Sequence, residues 1–376
     1  MSTNPQARSW IRVRADALRQ NFSRLRDAVG PETRIIPMVK ADAYGLGVKQ
    51  TVRVLQEKGP WGWGVATVDE GLELQEMGVK EPVIVFCPLT GESLDRALSG
   101  DLQLTVSSLL GLEEVITRAL ELGSKPCIHV DINTGMGRTG FDWRAALSWL
   151  PQLEEMASGN LSWVGLFTHL HSADEDEGSV RDQWSRLQKV LAQLENPPDG
   201  LMVHVLNSSG SFRTPEYAAT AVRPGIFLYG GEVGVDQPIP LPLVSLYARV
   251  IHVGDVSEGY TLGYGATYRA DGPERWATLA IGYGDGFPRS LGNCGSALLG
   301  GVRVPIIGRI SMDMTVVNIT NMPRVAVGDV ATLIGIDGRE KITVDDVAKL
   351  ANTISYEVLT GFTNRLPRVW TGLNGA

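Results

Sequence analysis

The sequence predicts an α/β protein in which a closed (β/α)8 barrel of the TIM type precedes a mainly antiparallel β domain. Eight short apolar runs recur within the first 230 residues, and most of them are followed by an amphipathic or polar stretch. Near-continuous apolar strands that alternate with helices are typical of a parallel sheet covered on its faces. After about residue 240 the sequence becomes strand-like and rich in turns, which indicates the second domain.

The predicted barrel strands are rich in branched and aromatic apolar residues. In chain order they are 34–41, 62–69, 82–88, 103–108, 126–133, 161–170, 202–210 and 221–230. The clearest helices between them are 48–59, 68–78, 109–123 and 179–195. Eight units fit a closed barrel, and an open doubly wound sheet is the alternative. Pro37 lies inside the first run, where a strand accepts proline only at a bulge or an unpaired amide.

The proline cluster QPIPLP at 237–242 separates the two predicted domains. Strand-like segments follow it, at 246–256, 274–284, 296–308 and 314–320. Only 343–361 has a helical pattern, with Thr343 and Asp346 at the spacing of a capping box. We therefore expect the barrel over 15–240 and a β domain with one helix over 241–376. A strand within 1–14 is expected to join the β domain, since the barrel pattern begins later.

Length, net charge and composition exclude several classes of protein. A length of 376 residues exceeds what one hydrophobic core usually organises. The net charge of −8 and the lack of a basic stripe argue against a nucleic-acid partner. The apolar stretches are too short to cross a membrane, and residues 1–9 lack an apolar signal core. We expect a cytoplasmic protein whose three cysteines, Cys87, Cys127 and Cys294, are buried reduced thiols.

Lys40 closes the first apolar run and is followed by ADAYGLG. The carboxyl ends of barrel strands are where barrel enzymes place their active sites. Burial lowers the pKa of a lysine below its usual value of about 10.4, and a neutral amine can form a Schiff base. The alternative for Lys40 is a side chain that extends its ammonium group into solvent.

Other predicted strands also end in polar or glycine residues. These are Arg138 after the fifth, His169 at the sixth, Asn207 and Ser208 at the seventh, and Arg223, Gly225 and Ile226 at the eighth. Barrels often bind phosphate beside their seventh and eighth strands. Ser208 can donate its hydroxyl there, and the amides of Gly225 and Ile226 can approach a ligand because glycine has no Cβ. Strand counting therefore predicts a phosphorylated ligand at this edge.

Less specific interpretations apply to several of these residues taken singly. Arg138 or Arg223 alone would more often form a structural ion pair, and Tyr264 would more often be an aromatic residue in a turn. His169 and His171 have the spacing of two metal ligands on one strand face, but no carboxylate set converges on them, so no metal site is predicted. His129, His204 and His252 are interpreted as core or surface residues.

The string VKADAYGLG (39–47) resembles the lysine motif of the alanine racemase family, which binds pyridoxal 5'-phosphate. Leu46 departs from the histidine that many members have, at a position past the cofactor residues. Further resemblances, in the family's order and across both domains, are THLHSADE (168–175), NSSG (207–210), VRPGIFLYG (222–230), LGYGATY (262–268), IGYGDGFPR (281–289), GRISMDMT (308–315) and ISYEVLTGFTNRLPR (354–368).

The resemblance implies a racemase that interconverts L- and D-alanine through an external aldimine with pyridoxal phosphate. Lys40 is then the base on one face of the substrate Cα, and Tyr264 is the base on the opposite face. A tyrosine acts as a base only where its surroundings favour phenolate, and the resemblance supplies His169 and Arg223 for this. Arg223 faces the pyridine nitrogen and cannot accept its proton, which should disfavour transamination.

The resemblance also assigns the remaining site residues. It places Tyr44, Ser208 and Tyr356 near the cofactor phosphate, His169 beside the pyridine ring, and Tyr283 at the entrance. The Met312 amide binds the substrate carboxylate, and Arg138 is predicted to contact both cofactor and substrate. Asn207, Gly225 and Ile226 complete the predicted cofactor site. In the family, Tyr264 and Met312 come from the partner subunit, which implies a head-to-tail homodimer with shared sites.

Asp131 is the main departure from the family pattern, because many members have a carbamylated lysine at this position that orients the arginine. An aspartate supplies negative charge on a shorter side chain, and no lysine carbamate is predicted. Asn133 and Ser311 replace the aspartate and cysteine that are common at their positions.

Three other functions remain open at this point. A racemase acting on serine or on a broader set of amino acids would share the chemistry. A non-catalytic pyridoxal-phosphate carrier would lack the second domain. A decarboxylase of the same fold type is expected to hold the pyridine nitrogen with an acidic residue, where this chain has Arg223. The resemblance implies that the physiological role is to supply D-alanine for bacterial cell walls.

Overall fold

A computed structural model describes residues 6–373. Strands β1–β10 are Ser9–Arg14, Arg34–Ile35, Trp63–Val65, Val83–Val85, Gln103–Val106, Cys127–Asn133, Phe141–Asp142, Ser162–Phe167, Met202–His204 and Ala221–Val222. Strands β11–β20 are Val244–Val256, Thr261–Leu262, Tyr268–Arg269, Glu274–Leu279, Ser296–Leu299, Val302–Pro305, Thr315–Asn318, Val330–Asp337, Glu340–Ile342 and Arg368–Thr371. Helices α1–α11 are Ala15–Val29, Lys40–Gly45, Val48–Gln56, Val68–Glu76, Gly91–Ser99, Leu109–Leu122, Ala146–Ala157, Glu177–Leu191, Ser208–Arg213, Val344–Ala351 and Ser355–Thr360, of which α2 is one left-handed turn.

Eight parallel strands form the predicted barrel, in the order β2-β10-β9-β8-β6-β5-β4-β3. A bridge between Met38 and Gly64 joins the first strand to β3, and the Val39 amide donates to the Gly64 carbonyl at 2.8 Å. The sheet is therefore closed, and the open doubly wound alternative is excluded. Each of the eight predicted apolar runs contributes one strand to the barrel.

Pro37 lies where the first strand meets β3. The Ile35 carbonyl accepts the Trp61 amide and the Pro37 carbonyl accepts the Gly64 amide, both at 2.9 Å. Two residues on the first strand thus oppose three on its neighbour, which is a bulge. The bulge lies beside Pro37, which has no amide hydrogen to donate. The strand therefore tolerates this proline in the way that the sequence analysis expected.

The helices that cover the barrel are amphipathic and have local caps. Leu18, Phe22 and Leu25 on α1 are each 1% exposed or less, because they pack into the main hydrophobic core. Helix α4 begins with a capping box in which Thr67 and Glu70 exchange side-chain and backbone hydrogen bonds.

The second sheet has nine strands and is mostly antiparallel. Its central strand β11 pairs with β1, β14 and β18, and β1 also pairs in parallel with β20. Strands β1 and β20, which lie far apart in the sequence, therefore meet in one sheet. The domain limits expected after residues 14 and 240 stay predictions, and residues 1–5 and 374–376 of the expected segments lie outside the described residues.

The single helix expected over 343–361 is wrong, because two helices, α10 and α11, occupy this segment. Thr343 and Asp346 form the predicted capping box. Asn352 then adopts a left-handed conformation with φ 57°, which ends α10. The chain restarts at Ser355, so that Tyr356 faces the barrel mouth.

Cysteine burial is also predicted incorrectly. Cys87 and Cys294 are exposed and Cys127 is partly buried, and all three are free thiols. Within residues 6–373, no helix combines the length and apolar character that crossing a bilayer requires.

Candidate active site

A cavity of about 320 Å³ opens at the carboxyl ends of the barrel strands. This volume suits a small-molecule ligand. All ten residues predicted to contact the cofactor line it, namely Lys40, Tyr44, Arg138, His169, Asn207, Ser208, Arg223, Gly225, Ile226 and Tyr356. The fold thus brings together residues that are dispersed from position 40 to position 356.

Lys40 enters this cavity from the end of the first strand. Burial lowers the pKa of its ammonium group, and the positive charge of Arg138 adds to this effect. The charge of Glu70 acts in the opposite direction. A lowered pKa increases the fraction of neutral amine, which is the nucleophilic form.

The turn after Lys40 is left-handed over four residues that are not glycine, Ala41–Tyr44, with φ values from 52° to 57°. This conformation costs about 1–2 kcal/mol per residue, so other contacts must hold it. The Glu70 carboxylate accepts the Ala41 amide at 2.6 Å, and Arg368 donates to the Gly45 carbonyl at 2.8 and 3.0 Å. A Cβ at Gly45 would lie 2.4 Å from the Leu359 carbonyl oxygen, which requires glycine.

Sequence reasoning missed the role of Glu70. The carboxylate also accepts the amides of Ala66 and Thr67, at 2.8 and 3.1 Å. The segment TVDE contains a capping-box pattern, which could have identified the helix start. It carries no signal for the added contact with Ala41.

Ser208 and Gly225 form an anion cradle between strands β9 and β10. The Ser208 hydroxyl accepts the amides of Gly225 at 2.8 Å and Phe227 at 3.3 Å. Both of its lone pairs are used, so its own hydrogen is available to the cavity. The Ile226 amide has no protein acceptor in the described chain, and Asn207 caps the short helix α9 by accepting the Gly210 amide.

Aromatic residues close one side of this cradle. Tyr44 stacks on Tyr229 with ring centroids 4.5 Å apart and packs at a tilt against Tyr356 at 6.0 Å. Burial raises the pKa of Tyr44 and raises that of Tyr356 to about 12, so both stay neutral donors. A Cβ at Gly225 would lie 2.1 Å from the Tyr44 hydroxyl, so glycine makes room for that oxygen.

Arg223 crosses the floor of the cavity and is 4% exposed. Its Nη1 donates to the His204 carbonyl at 2.6 Å and its Nη2 donates to the Thr168 carbonyl at 2.8 Å. Burial lowers its pKa to about 10, which leaves it cationic at neutral pH. Its Nη2 also lies 3.4 Å from Nδ1 of His169, whose pKa is lowered to about 3 by burial and then by the charge of Arg223.

Asp131 lies in the same cavity but does not form an ion pair with Arg138 in the described structure. Its carboxylate accepts the hydroxyls of Thr139 at 2.7 Å and Ser107 at 3.3 Å. Burial raises its pKa, and the hydrogen bond from Thr139 opposes this. The aspartate therefore holds the loop through the neighbour of Arg138 instead of through the guanidinium.

Three predicted residues do not reach this cavity within the described part of one chain. Tyr264, Tyr283 and Met312 lie on the second domain and are 70%, 42% and 53% exposed. The amides of Tyr283 and Gly284 donate to the carbonyls of Ser311 and Met312, which keeps these two segments together. The exposed group thus belongs to a different surface from the cavity.

The fold and the cavity define a two-domain barrel enzyme with a half-buried lysine and an anion cradle. Residues 13–233 match the family model described as alanine racemase, N-terminal domain, and residues 243–370 match the alanine racemase, C-terminal domain. The chain therefore belongs to the alanine racemase family. This confirms the family and the two-part fold predicted from the sequence.

Individual relatives agree with this assignment. The chain is 34% identical to an alanine racemase of Methylacidiphilum infernorum (isolate V4), over 96% of this chain and 92% of that protein. The structure superposes on the crystal structure of alanine racemase from E. faecalis with a TM-score of 0.90, at 30% identity, covering 99% of this chain and 100% of that one. For an alanine racemase of Bartonella henselae with covalently bound pyridoxal phosphate, the TM-score is 0.88 at 28% identity, with 97% and 100% covered.

Proposed function

We propose that this protein racemises alanine, interconverting its L and D forms with pyridoxal 5'-phosphate as cofactor. The observation that supports this most directly is the cavity that Lys40 lines together with the Ser208–Gly225 cradle. A lysine of lowered pKa and an anion site in one small cavity suit a cofactor that has both a carbonyl and a phosphate.

The residues of the cavity fit this cofactor. Lys40 would bind it covalently, and the Ser208 hydroxyl with the Ile226 amide would hold its phosphate. Tyr44 and Tyr356 would donate to the same phosphate, since both hydroxyls stay protonated. Arg223 would face its pyridine nitrogen. When bound, pyridoxal phosphate acidifies an amino acid's Cα–H bond by delocalising the electrons that remain when the proton leaves.

Racemisation requires a base on each face of the substrate Cα. The Lys40 amine, freed when substrate is bound, would remove or return the proton on one face. Within residues 6–373, the tyrosines that line the cavity, Tyr44 and Tyr356, belong to the anion cradle, and Tyr264 is 70% exposed on the second domain. We therefore propose a head-to-tail homodimer in which Tyr264 of a second copy serves the opposite face.

Substrate binding in this arrangement also requires the second copy. Arg138 lines the cavity and would bind the substrate carboxylate together with the Met312 amide of the other subunit. Tyr283, which is held next to Met312 by backbone hydrogen bonds, would lie at the entrance. A cytoplasmic enzyme that supplies D-alanine for the bacterial cell wall is the corresponding physiological proposal.

The test is proton NMR of the purified protein with pyridoxal phosphate and L-alanine in D₂O, followed by chiral analysis. Loss of the Cα proton signal together with formation of D-alanine is the expected result. The Lys40→Ala variant is the control, because it removes only the amine-bearing side chain, and circular dichroism checks that it is folded.

Other outcomes would identify the alternatives. Exchange with serine but not with alanine would keep the two-base chemistry and change the substrate. A protein that binds pyridoxal phosphate but exchanges no amino acid would be a carrier, and the proposal would be wrong.

A further inference from the structure

Two histidines that the sequence left unassigned lie inside the barrel, between its wall and Arg223. His129 on β6 and His204 at the end of β9 are both 0% exposed. Nδ1 of His129 is 3.0 Å from Nε2 of His204, and Nδ1 of His204 is 3.0 Å from Nη1 of Arg223. Nε2 of His129 is 2.7 Å from Oε1 of Gln103, the first residue of β5. We call these four residues the histidine chain.

Arginine fixes the direction of every hydrogen bond in this chain. A guanidinium can only donate, so Nδ1 of His204 must accept. The hydrogen of His204 is then on Nε2, which donates to Nδ1 of His129. The hydrogen of His129 is likewise on Nε2 and is accepted by the Gln103 carbonyl oxygen. One tautomer of each ring satisfies all three contacts.

The surroundings keep both rings neutral. Burial lowers the pKa of His129 to about 3, and the charge of Arg223 lowers it further. The same two causes, in the same order, place the pKa of His204 well below its usual value. A proton on Nδ1 of His204 would face the N–H donor and the positive charge of the Arg223 guanidinium.

Neighbouring residues inside the barrel leave space for these two imidazole rings and pack against them. A Cβ at Gly165 would lie 2.0 Å from Nδ1 of His129, so only glycine leaves room for the imidazole. Phe167 stacks on His204 with centroids 4.9 Å apart, and its ring also faces the Arg223 guanidinium at 5.1 Å. Water is thereby kept from the links between the rings and the guanidinium.

We infer that His204, and through it His129 and Gln103, are positioning residues that fix the orientation of the Arg223 guanidinium in the cavity. Nδ1 of His204 and the carbonyls of three residues, His204, Thr168 and Val205, together engage both terminal nitrogens of Arg223. Its Nε has no protein partner in the described structure and is left for a ligand. The inference that Nε of Arg223 binds a ligand rests on the proposed function. The inference about the orientation of the guanidinium does not.

The first test is nitrogen NMR of protein labelled in histidine and arginine, with and without pyridoxal phosphate. We expect both rings to be neutral and to carry hydrogen on Nε2 from about pH 6 to pH 9. We expect separate, slowly rotating Nη signals from Arg223. A charged ring, or hydrogen on Nδ1 of either histidine, would overturn the inference whether or not the protein is a racemase.

The second test compares variants. His204→Leu and His129→Leu break the chain, whereas His129→Asn keeps an acceptor for His204. Thr105→Val is the control, because it removes a different buried hydrogen bond, from Thr105 to the Val85 carbonyl, in the strand that carries Gln103.

Both leucine variants should merge the Arg223 Nη signals and shift the absorption maximum of bound pyridoxal phosphate. They should also lower kcat about tenfold at little change in KM, as expected for a lost bond to a charged group. His129→Asn should restore most of each property, and Thr105→Val should change none of them. Leucine variants that lose thermal stability but keep the wild-type Arg223 signals and absorption would show a merely structural role. If racemisation itself were absent, the Arg223 signals would still decide the inference.

Discussion

At the scale of single residues, Asp131 keeps a carboxylate inside the barrel with only hydroxyl partners among residues 6–373. Burial raises its pKa above the usual 3.8, because an uncharged carboxyl is easier to bury than a carboxylate. The folded state therefore holds this proton more tightly than the unfolded state does. The carboxyl favours folding at low pH and this contribution is lost as the pH rises through the raised pKa.

The raised pKa of Asp131 predicts how the stability of the Asp131→Asn variant depends on pH. The asparagine oxygen can still accept from Thr139, and the side chain cannot ionise. The free energy of unfolding of the variant, relative to wild type, should increase as the pH rises from about 4 to about 7. Urea unfolding at several pH values measures this difference.

Asp142→Asn is the matched control, since a hydrogen bond from Arg144 lowers the pKa of Asp142. Its stability relative to wild type should change in the opposite direction, falling as the pH rises toward 4, and should stay level from about pH 4 to about pH 7. An Asp131→Asn variant that loses relative stability between those pH values would contradict the raised pKa. Activity that depends on added bicarbonate would also contradict the expected absence of a lysine carbamate.

At the scale of elements, the turn after Lys40 depends on the helix that starts at Val68. Glu70 on this helix accepts three amides, one of them from Ala41 in the left-handed turn. A glutamine has the same shape, but its amide nitrogen cannot accept. Glu70→Gln should therefore leave at least one amide without an acceptor, which costs about 1–3 kcal/mol.

The measurement is urea unfolding together with hydrogen exchange at the Ala41 amide, which should become faster. Glu73→Gln, on the exposed face of the same helix, is the control and should change neither property. Equal exchange rates at Ala41 in the two variants would show that other contacts hold the turn.

The sequence predicted most of this architecture because its signals are local. Apolar runs identify strands, and Thr343 with Asp346 identifies a helix start. The runs extend past the strands, since the turns at the barrel mouth are buried as well. His129 and His204, 75 positions apart, meet only because strands β6 and β9 face a common interior. No local pattern predicts that contact. The left-handed break at Asn352 does have a local signal, since asparagine often ends helices in this conformation, and the single-helix prediction overlooked it.

At the scale of the whole molecule, the cavity and the exposed residues Tyr264, Tyr283 and Met312 belong to different surfaces. Mixing Lys40→Ala with Tyr264→Phe chains tests the proposed shared site. Each variant alone should be nearly inactive. After subunit exchange, half of the dimers should be mixed and each should contain one intact site, which gives about one quarter of wild-type activity.

Exchange between Lys40→Ala and a chain with both substitutions is the control and should restore nothing. If the first mixture has no activity although mass measurement verifies that the subunits have exchanged, this result would argue against shared sites.

The turn that carries Lys40 is completed by residues from the far end of the chain. Arg368 holds the Gly45 carbonyl across 323 positions, and the Leu359 backbone packs against the same glycine. At a synthesis rate of about 5–20 residues per second, the ribosome needs roughly 15–65 seconds to cover that distance. A growing chain can contain all eight barrel strands before it contains Arg368, which holds the turn after Lys40. Loading of any ligand that needs this turn therefore waits until Arg368 has been synthesised.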